Sequence, residues 1–460
     1  MTYWKEIANE TGVTFVFEHV SQNANERLSL MFTSGDFPDI AMNGPTDAQI
    51  QSVIDNGLIY EMSALIDQYS PNWKAFFAEN DYARKVSTMP DGKIWSLPIV
   101  RDEDSNSGIR DQWMINVQWM RELNLSMPKT TDEFYTYLKG LKDNAGKGTI
   151  PADVIPWCVW YNQYANGGLY ELFNAFGVFS GQNFTSVDPN GKVVFSVIDP
   201  GMKEAIKYVG KLYAEGLLLP DMFTMDAATF DAKTSLAKPP ISGSYLRYFN
   251  DDPTNQVYDV LPAMTSPFNS TPMYRSQANA TVLRNKFTIF TKCQHPEAAM
   301  RVADLIATPD WSMQAMYGMY GDWLIKNADG TVTQKPVVGN EAYQNVPGNS
   351  IPFILTMDFM KDFTYVGSQQ QRAQNIANVY KKATVAPERL FPNVVWQPAD
   401  LTTMTQVRTD LMEYANKTFA DWIVNGFSDG DWDTFVSKTN SLGLDTYISL
   451  HQKYLDDFNK

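Results

Sequence analysis

The chain has 460 residues, of which 52 are acidic and 37 basic, for a formal net charge of −15. That balance argues against nucleic acid as a partner, because phosphate binding needs a basic footprint, and it disfavours a polyanionic ligand. With 44% hydrophobic and 19% charged residues the chain is not of the disordered class, and its length exceeds what one hydrophobic core organises, so two lobes are expected.

Aromatic residues make up 13%, including 12 Trp and 23 Tyr, enough flat rings to build cores and still line a cleft. The two cysteines, Cys158 and Cys293, leave two readings open, a single disulfide or a pair of buried thiols. His19, His295 and His451 are far apart and form no local ligand set, and no zinc spacing occurs, so neither a metal nor a cofactor is expected. No apolar run reaches membrane-spanning length and no signal peptide is present.

In chain order, residues 4–11 read as a helix leading to a strand at 13–17. A helix at 24–33 carries Leu28, Met31 and Phe32 on one face, and Gly35 can close it in the left-handed conformation. A short buried strand at 39–42 exits into Asn43-Gly44-Pro45-Thr46-Asp47. Open α/β sheets place ligands at such strand ends. Asn43 and Asp47 are therefore either ligand groups or simply a turn residue and a helix cap. Helical pieces follow at 47–56, 65–69 and 71–78, then a turn at 90–93 and an apolar stretch at 94–99. Residues 102–111 form a polar loop, read as a solvated connection rather than a lid.

The stretch 113–142 carries the densest signals. Trp113-Met114-Ile115-Asn116 reads as a buried strand ended by a polar residue. A short helix at 118–123 and Pro128 come next. Thr130 and Glu133 then make a capping box at the start of a helix whose buried face is Phe134, Leu138 and Leu141. Further on, Trp157, Trp160, Tyr161 and Tyr164 lie within eight residues at neither helical nor strand spacing, ahead of Asn166-Gly167-Gly168. Flat amphipathic rings suit the C–H face of a sugar; the competing reading is a local aromatic core. A hairpin is expected at 187–193, a helix from Met202 to Tyr213 closed by Gly216, and a strand exit at 241–245. A strand at 286–293 and helices from Pro296 and Pro309 follow, then a hairpin turn at 327–330. From Leu401 the chain is helical, with Leu411, Ala415, Phe419 and Trp422 along one face.

The order strand, polar exit, short helix, proline and capped helix resembles the second lobe of extracellular solute-binding proteins of sugar importers. So do the runs SGDFPDI at 34–40, PNW at 71–73, DGKIWSLP at 91–98 and KCQHPEAA at 292–299. The wording is close to the Gram-positive lipoprotein branch. The resemblance implies an α/β, two-lobed, periplasmic-binding-protein-like clamp of type II. Each lobe would be an open mixed sheet flanked by helices, with extra C-terminal helices, and the clamp would close by hinge motion. Lobe 1 would comprise 1–99 and 263–318, and lobe 2 would comprise 100–262 and 319–460. The chain would cross near Pro98, return at 261–263 and cross back at 317–321. In the family a strand, a signal peptide and a lipid-bearing Cys precede the first helix, so Met1 reads as a truncated or miscalled start.

The implied function is capture of a carbohydrate, an oligosaccharide, in an interlobe cleft for delivery to an ABC permease. The protein would be a monomer, extracellular and tethered as a lipoprotein. Trp157 and Trp160 fall where maltodextrin-binding relatives hold stacking rings, and Tyr245 where relatives hold another. With Asn43, Asp47, Asn116, Tyr161 and Trp323 these make the expected ligand set. Two departures stand out. Lys147 and Gly148 interrupt the stretch where many relatives carry an acid-rich calcium loop, so no calcium is expected there. Gly318-Met319-Tyr320-Gly321 replaces the family's Gly-x-Glu-Gly, so the role of that acid is lost or displaced. The alternatives are a glycoside-acting enzyme, which would need two flanking carboxyls, and a peptide-binding clamp, which would need a strand-pairing groove.

Overall fold

The computed structural model describes residues 1–20, 23–102, 109–161, 163–179, 181–236, 239–250, 252, 254–275, 282–336 and 346–460. Most of the polar connection expected at 102–111 lies outside them, as does Asn162. The chain forms two units. The first contains Met1–Ser107, Asn279–Gly367 and Pro392–Pro398; the second contains Gly108–Ala278, Ser368–Phe391 and Ala399–Lys460. The strands among the described residues are β1 (Ile40–Met42), β2 (Leu97–Asp102), β3 (Gln112–Asn116), β4 (Thr185–Val187), β5 (Val193–Phe195), β6 (Ser244–Arg247), β7 (Tyr258–Val260), β8 (Val282–Ile289), β9 (Leu324–Lys326), β10 (Val332–Gln334), β11 (Phe353–Thr356) and β12 (Phe363–Thr364).

In the first unit the main sheet has the order β1-β8-β2-β11. β8 runs antiparallel to both β1 and β2, whereas β11 is parallel to β2. Alternation along a strand sends successive side chains to opposite faces. Ala41 accordingly joins a core with Ile50, Val53 and Phe290, while Met42 packs against one built on Tyr3, Ile99, Val302 and Phe353. The helix Asp47–Asp55 starts directly after β1 because Thr46 and Gln49 form a capping box. The helix Pro296–Ile306 is tied to the start of Pro71–Glu79 through Asp304, which accepts from Ser70 Oγ at 2.6 Å and from the Asn72 amide at 2.8 Å.

The second unit is built on the sheet β6-β3-β7, antiparallel throughout. Parallel pairing among the described residues of this unit consists of single bridges, Thr130 to Thr265, Ile155 to Ser242, Trp157 to Leu218 and Tyr274 to Thr384. All five residues of β3 are buried. The capping box of Thr130 and Glu133 starts the helix Thr131–Asp143. The C-terminal helices Pro398–Asn425, Asp429–Ser441 and Leu444–Phe458 bury Leu411, Ala415, Phe419 and Trp422 together with Trp432 and Phe435. Cys158 and Cys293 are both free and buried.

Three expectations are corrected. Residues 13–17 make no strand; Phe15 and Phe17 instead pack on Trp4, each 5.0 Å between ring centres. Residues 261–263 do not leave the second unit, since the Leu261 amide donates to the Trp113 carbonyl at 2.6 Å; the chain is next described in the first unit from Val282, in β8. Nor does the chain cross at 317–321. Pairing of β11 with β2 keeps it in the first unit to Gly367.

Candidate functional site

In the first unit the polar groups gather where β1 ends. Asn43 adopts a left-handed backbone (φ 53°), which turns the chain toward the helix headed by Asp47. The partner strand supplies the rest. Leu97 pairs with Phe287 and Ile99 with Leu283, so Pro98 alone stands opposite Arg284, Asn285 and Lys286. Proline brings no amide to a ladder and is confined in sheets to edges and irregularities. β8 bulges there, with Asn285 at φ 60°, and bulges redirect side chains.

Two successive residues consequently reach the same carboxylate. Arg284 grips Asp47 with both arms of its fork, Nε to Oδ1 at 3.1 Å and Nη2 to Oδ2. Asn285 Nδ2 donates to Asp47 Oδ1 at 2.7 Å. Arg284 is further fixed by the Asn393 carbonyl at 2.5 Å and the Val394 carbonyl at 3.3 Å. Lys286 donates its ammonium to Asn43 Oδ1, and burial pulls its pKa below the usual lysine value. Carboxylate, guanidinium, ammonium and amides in one place can donate to and accept from a polyhydroxylated solute. Asn43 and Asp47 were anticipated from sequence; Arg284, Asn285 and Lys286 were not. The available signal was the polar run inside an otherwise apolar strand, VLRNKFTI, opposite a proline.

Trp323, also in this unit, is half-buried. Its ring lies over Gly318, where a β-carbon would come within 2.7 Å of it.

In the second unit the expected residues divide. Asn116 is fully buried and caps the helix Val117–Glu122, its Oδ1 accepting from the Trp119 amide at 3.0 Å. Trp157 has no exposed surface. It stacks on Trp113 at 5.3 Å and meets Phe134 edge-on at 5.4 Å. Tyr245 is likewise at 0% exposure, in a core with Met114, Cys158 and Tyr258. These three residues build the fold and offer no face to a solute, which corrects the expectation for each.

Trp160 and Tyr161 remain half-buried. The Trp160 amide donates to the Gly167 carbonyl at 2.9 Å, and its ring leans on Phe230. The Tyr161 hydroxyl donates to the Asn416 carbonyl at 2.8 Å, and burial raises its pKa well above that of free tyrosine.

Comparison with known proteins bears on this arrangement. A profile of the family described as bacterial extracellular solute-binding protein matches residues 1–313. The fructooligosaccharide ABC transporter substrate-binding protein FusA of Streptococcus pneumoniae serotype 4 (strain ATCC BAA-334 / TIGR4) is 26% identical over 469 residues, covering 99% of this chain and 86% of FusA. Lipoprotein LipO of Bacillus subtilis (strain 168) is 26% identical over 231 residues, 49% of this chain and 42% of LipO. The solved structure of S. pneumoniae FusA in complex with kestose superposes with a TM-score of 0.85 at 25% identity, over 99% of this chain and 95% of that one. With the profile spanning more than half its length, this chain belongs to the bacterial extracellular solute-binding proteins.

Proposed function

We propose that this protein captures an oligosaccharide, of the fructose-containing class, and delivers it to the permease of an ABC transporter as a monomer held at the outer cell surface by a lipid anchor. The observation that supports the reading is the likeness to a fructooligosaccharide-binding protein, which extends over 99% of this chain and 86% of that protein. The lipid anchor draws on the likeness to a protein named as a lipoprotein.

In this reading Asn43, Asp47, Arg284, Asn285 and Lys286 supply hydrogen bonds to sugar hydroxyls, while Trp160, Tyr161 and Trp323 supply ring faces. A ring buries the apolar C–H face of a sugar and leaves its hydroxyl rim to the polar groups. Capture requires no covalent chemistry. A solute shifts the protein toward whichever conformation it binds more tightly, and that conformation is what a permease reads.

The test is titration calorimetry with kestose, with maltotriose as the comparison sugar and chromatography of the kestose afterwards. Kestose binds with a saturable heat, maltotriose binds more weakly, and the recovered kestose is intact. Trp160→Ala raises the dissociation constant by about tenfold, which is about 1.4 kcal/mol. Absence of binding to any saccharide would refute the carbohydrate reading, and shortened product would refute simple capture.

A further inference from the structure

The second unit buries a charged cluster that none of the groups above uses. Arg275, Asp111 and Glu171 are 2%, 1% and 4% exposed. Arg275 Nε donates to Glu171 Oε1 at 2.9 Å and Nη2 lies 2.6 Å from the same oxygen. Nη2 is also 3.6 Å from Asp111 Oδ2. The third arm of the fork leaves the ion pairs altogether: Nη1 donates to the Tyr164 carbonyl at 2.5 Å. The guanidinium carbon sits 4.1 Å from the centre of the Tyr164 ring. Asp111 Oδ2 in turn accepts the Asn166 amide at 3.2 Å. Asp111 Oδ1 also accepts from Arg110 Nη1 at 2.7 Å, so two backbone groups of one loop are held by two members of one cluster of charges.

That loop, residues 160–161 and 163–168, carries Trp160 at its start. It closes on itself through the Trp160 amide and the Gly167 carbonyl. It has little slack, because a β-carbon at Gly168 would come within 1.9 Å of the Gln163 carbonyl oxygen. Buried ion pairs contribute little net stability compared with apolar residues of similar shape, because desolvation opposes the Coulomb gain. A cluster of this cost is accounted for by what it holds in place. Only a guanidinium presents donors in a rigid planar fork able to serve Glu171, Asp111 and a carbonyl together.

We propose that Arg275, acting with Asp111, is a positioning residue for solute binding: it fixes the loop residues 163–168 so that the Trp160 ring is presented in a single orientation. The proposal rests on the reading that Trp160 meets the solute, and the experiment separates the two.

Hydrogen exchange of the loop amides and calorimetry with kestose are measured for wild type, Trp160→Ala, Arg275→Lys, Tyr164→Ala and the double variant Trp160→Ala/Arg275→Lys. Lysine keeps a cation beside Glu171 but cannot span three partners. Tyr164→Ala removes the ring by which the loop rests on the guanidinium, loosening the loop from Arg275 while the ion pair with Glu171 is kept, so it answers the question should the lysine variant not fold. Both variants speed exchange at Asn166 by about tenfold or more while exchange in the helix Thr131–Asp143 is unchanged. Arg275→Lys weakens kestose binding by about tenfold in the wild-type background and adds almost nothing to Trp160→Ala, since an effect transmitted through one ring cannot survive its removal. Unchanged exchange at Asn166 in both variants, or a loss that adds in full to Trp160→Ala, would overturn the positioning role. Kestose binding untouched by Trp160→Ala would overturn the solute reading instead, and the exchange data would still decide whether Arg275 holds the loop.

Discussion

Replacing Trp157 separates a core ring from a recognition ring. Its side chain is fully buried, stacked on Trp113 with planes 23° apart and packed edge-to-face on Phe134. Truncating a buried Trp to Ala costs about 3–5 kcal/mol. Loss of two aromatic contacts, each about 0.5–1.5 kcal/mol, puts Trp157→Ala at the upper end of that range. Trp157→Phe keeps a ring between the same neighbours. The indole nitrogen has no hydrogen-bond partner among the described residues, so the smaller ring forfeits area alone, about 1–2 kcal/mol. Urea unfolding followed by near-ultraviolet circular dichroism measures both. Because a chain of two units need not unfold in one step, the shift belongs to the transition of the unit containing β3. Kestose affinity of the folded variants stays at the wild-type value. A Trp157→Ala protein that unfolds like wild type but has lost kestose binding would refute the assignment of this ring to the core.

His451 is 5% exposed, with Nδ1 2.8 Å from the Tyr447 carbonyl, and burial pulls its pKa from 6.5 down to about 4. The unfolded chain binds this proton below pH 6.5 and the folded one only near pH 4, so stability falls as pH drops through that interval, by up to about 3 kcal/mol, and levels off below it. His451→Gln flattens this part of the curve; identical pH profiles for the two proteins would dismiss the histidine as its source. Asp304→Ala strands the Ser70 hydroxyl and the Asn72 amide and lowers the stability of the first unit by about 2–4 kcal/mol, read from its urea midpoint. Thr130→Ala removes one half of a capping box and costs about 1 kcal/mol, seen as a smaller shift of the second unit's midpoint.

Local chemistry made much of the fold legible. The capping box at Thr130 and Glu133 forms as written, and the helix Pro398–Asn425 buries the face its spacing defines. The aromatic stretch was read correctly as aromatic but not as to direction. With no period along it, nothing in 157–161 says which ring turns inward. Trp157 is claimed by Trp113 and Phe134, from a strand and a helix earlier in the chain, and Tyr245 by the Tyr258 ring 5.1 Å away. Arg284 and Lys286 reach Asp47 and Asn43 through the register of β8, which no local pattern in the sequence displays. A polar run in a strand acquires meaning only when its partner is known to be Pro98. The return point was misplaced for a related reason: pairing of β7 with β3 retains residues that look like a crossover.

The irregularity in β8 also ties what Asp47 meets to the number of residues in the strand. Between the flanking pairs β8 runs two residues longer than β2, three positions facing one. Excising that surplus would restore simple alternation, leave the sheet order untouched, and keep a single one of Arg284, Asn285 and Lys286, so that Asp47 loses at least one of its two donors. The polar chemistry at this strand end is therefore written in chain length as much as in residue identity. A change of two codons in number, with no substitution anywhere else, is enough to rewrite it.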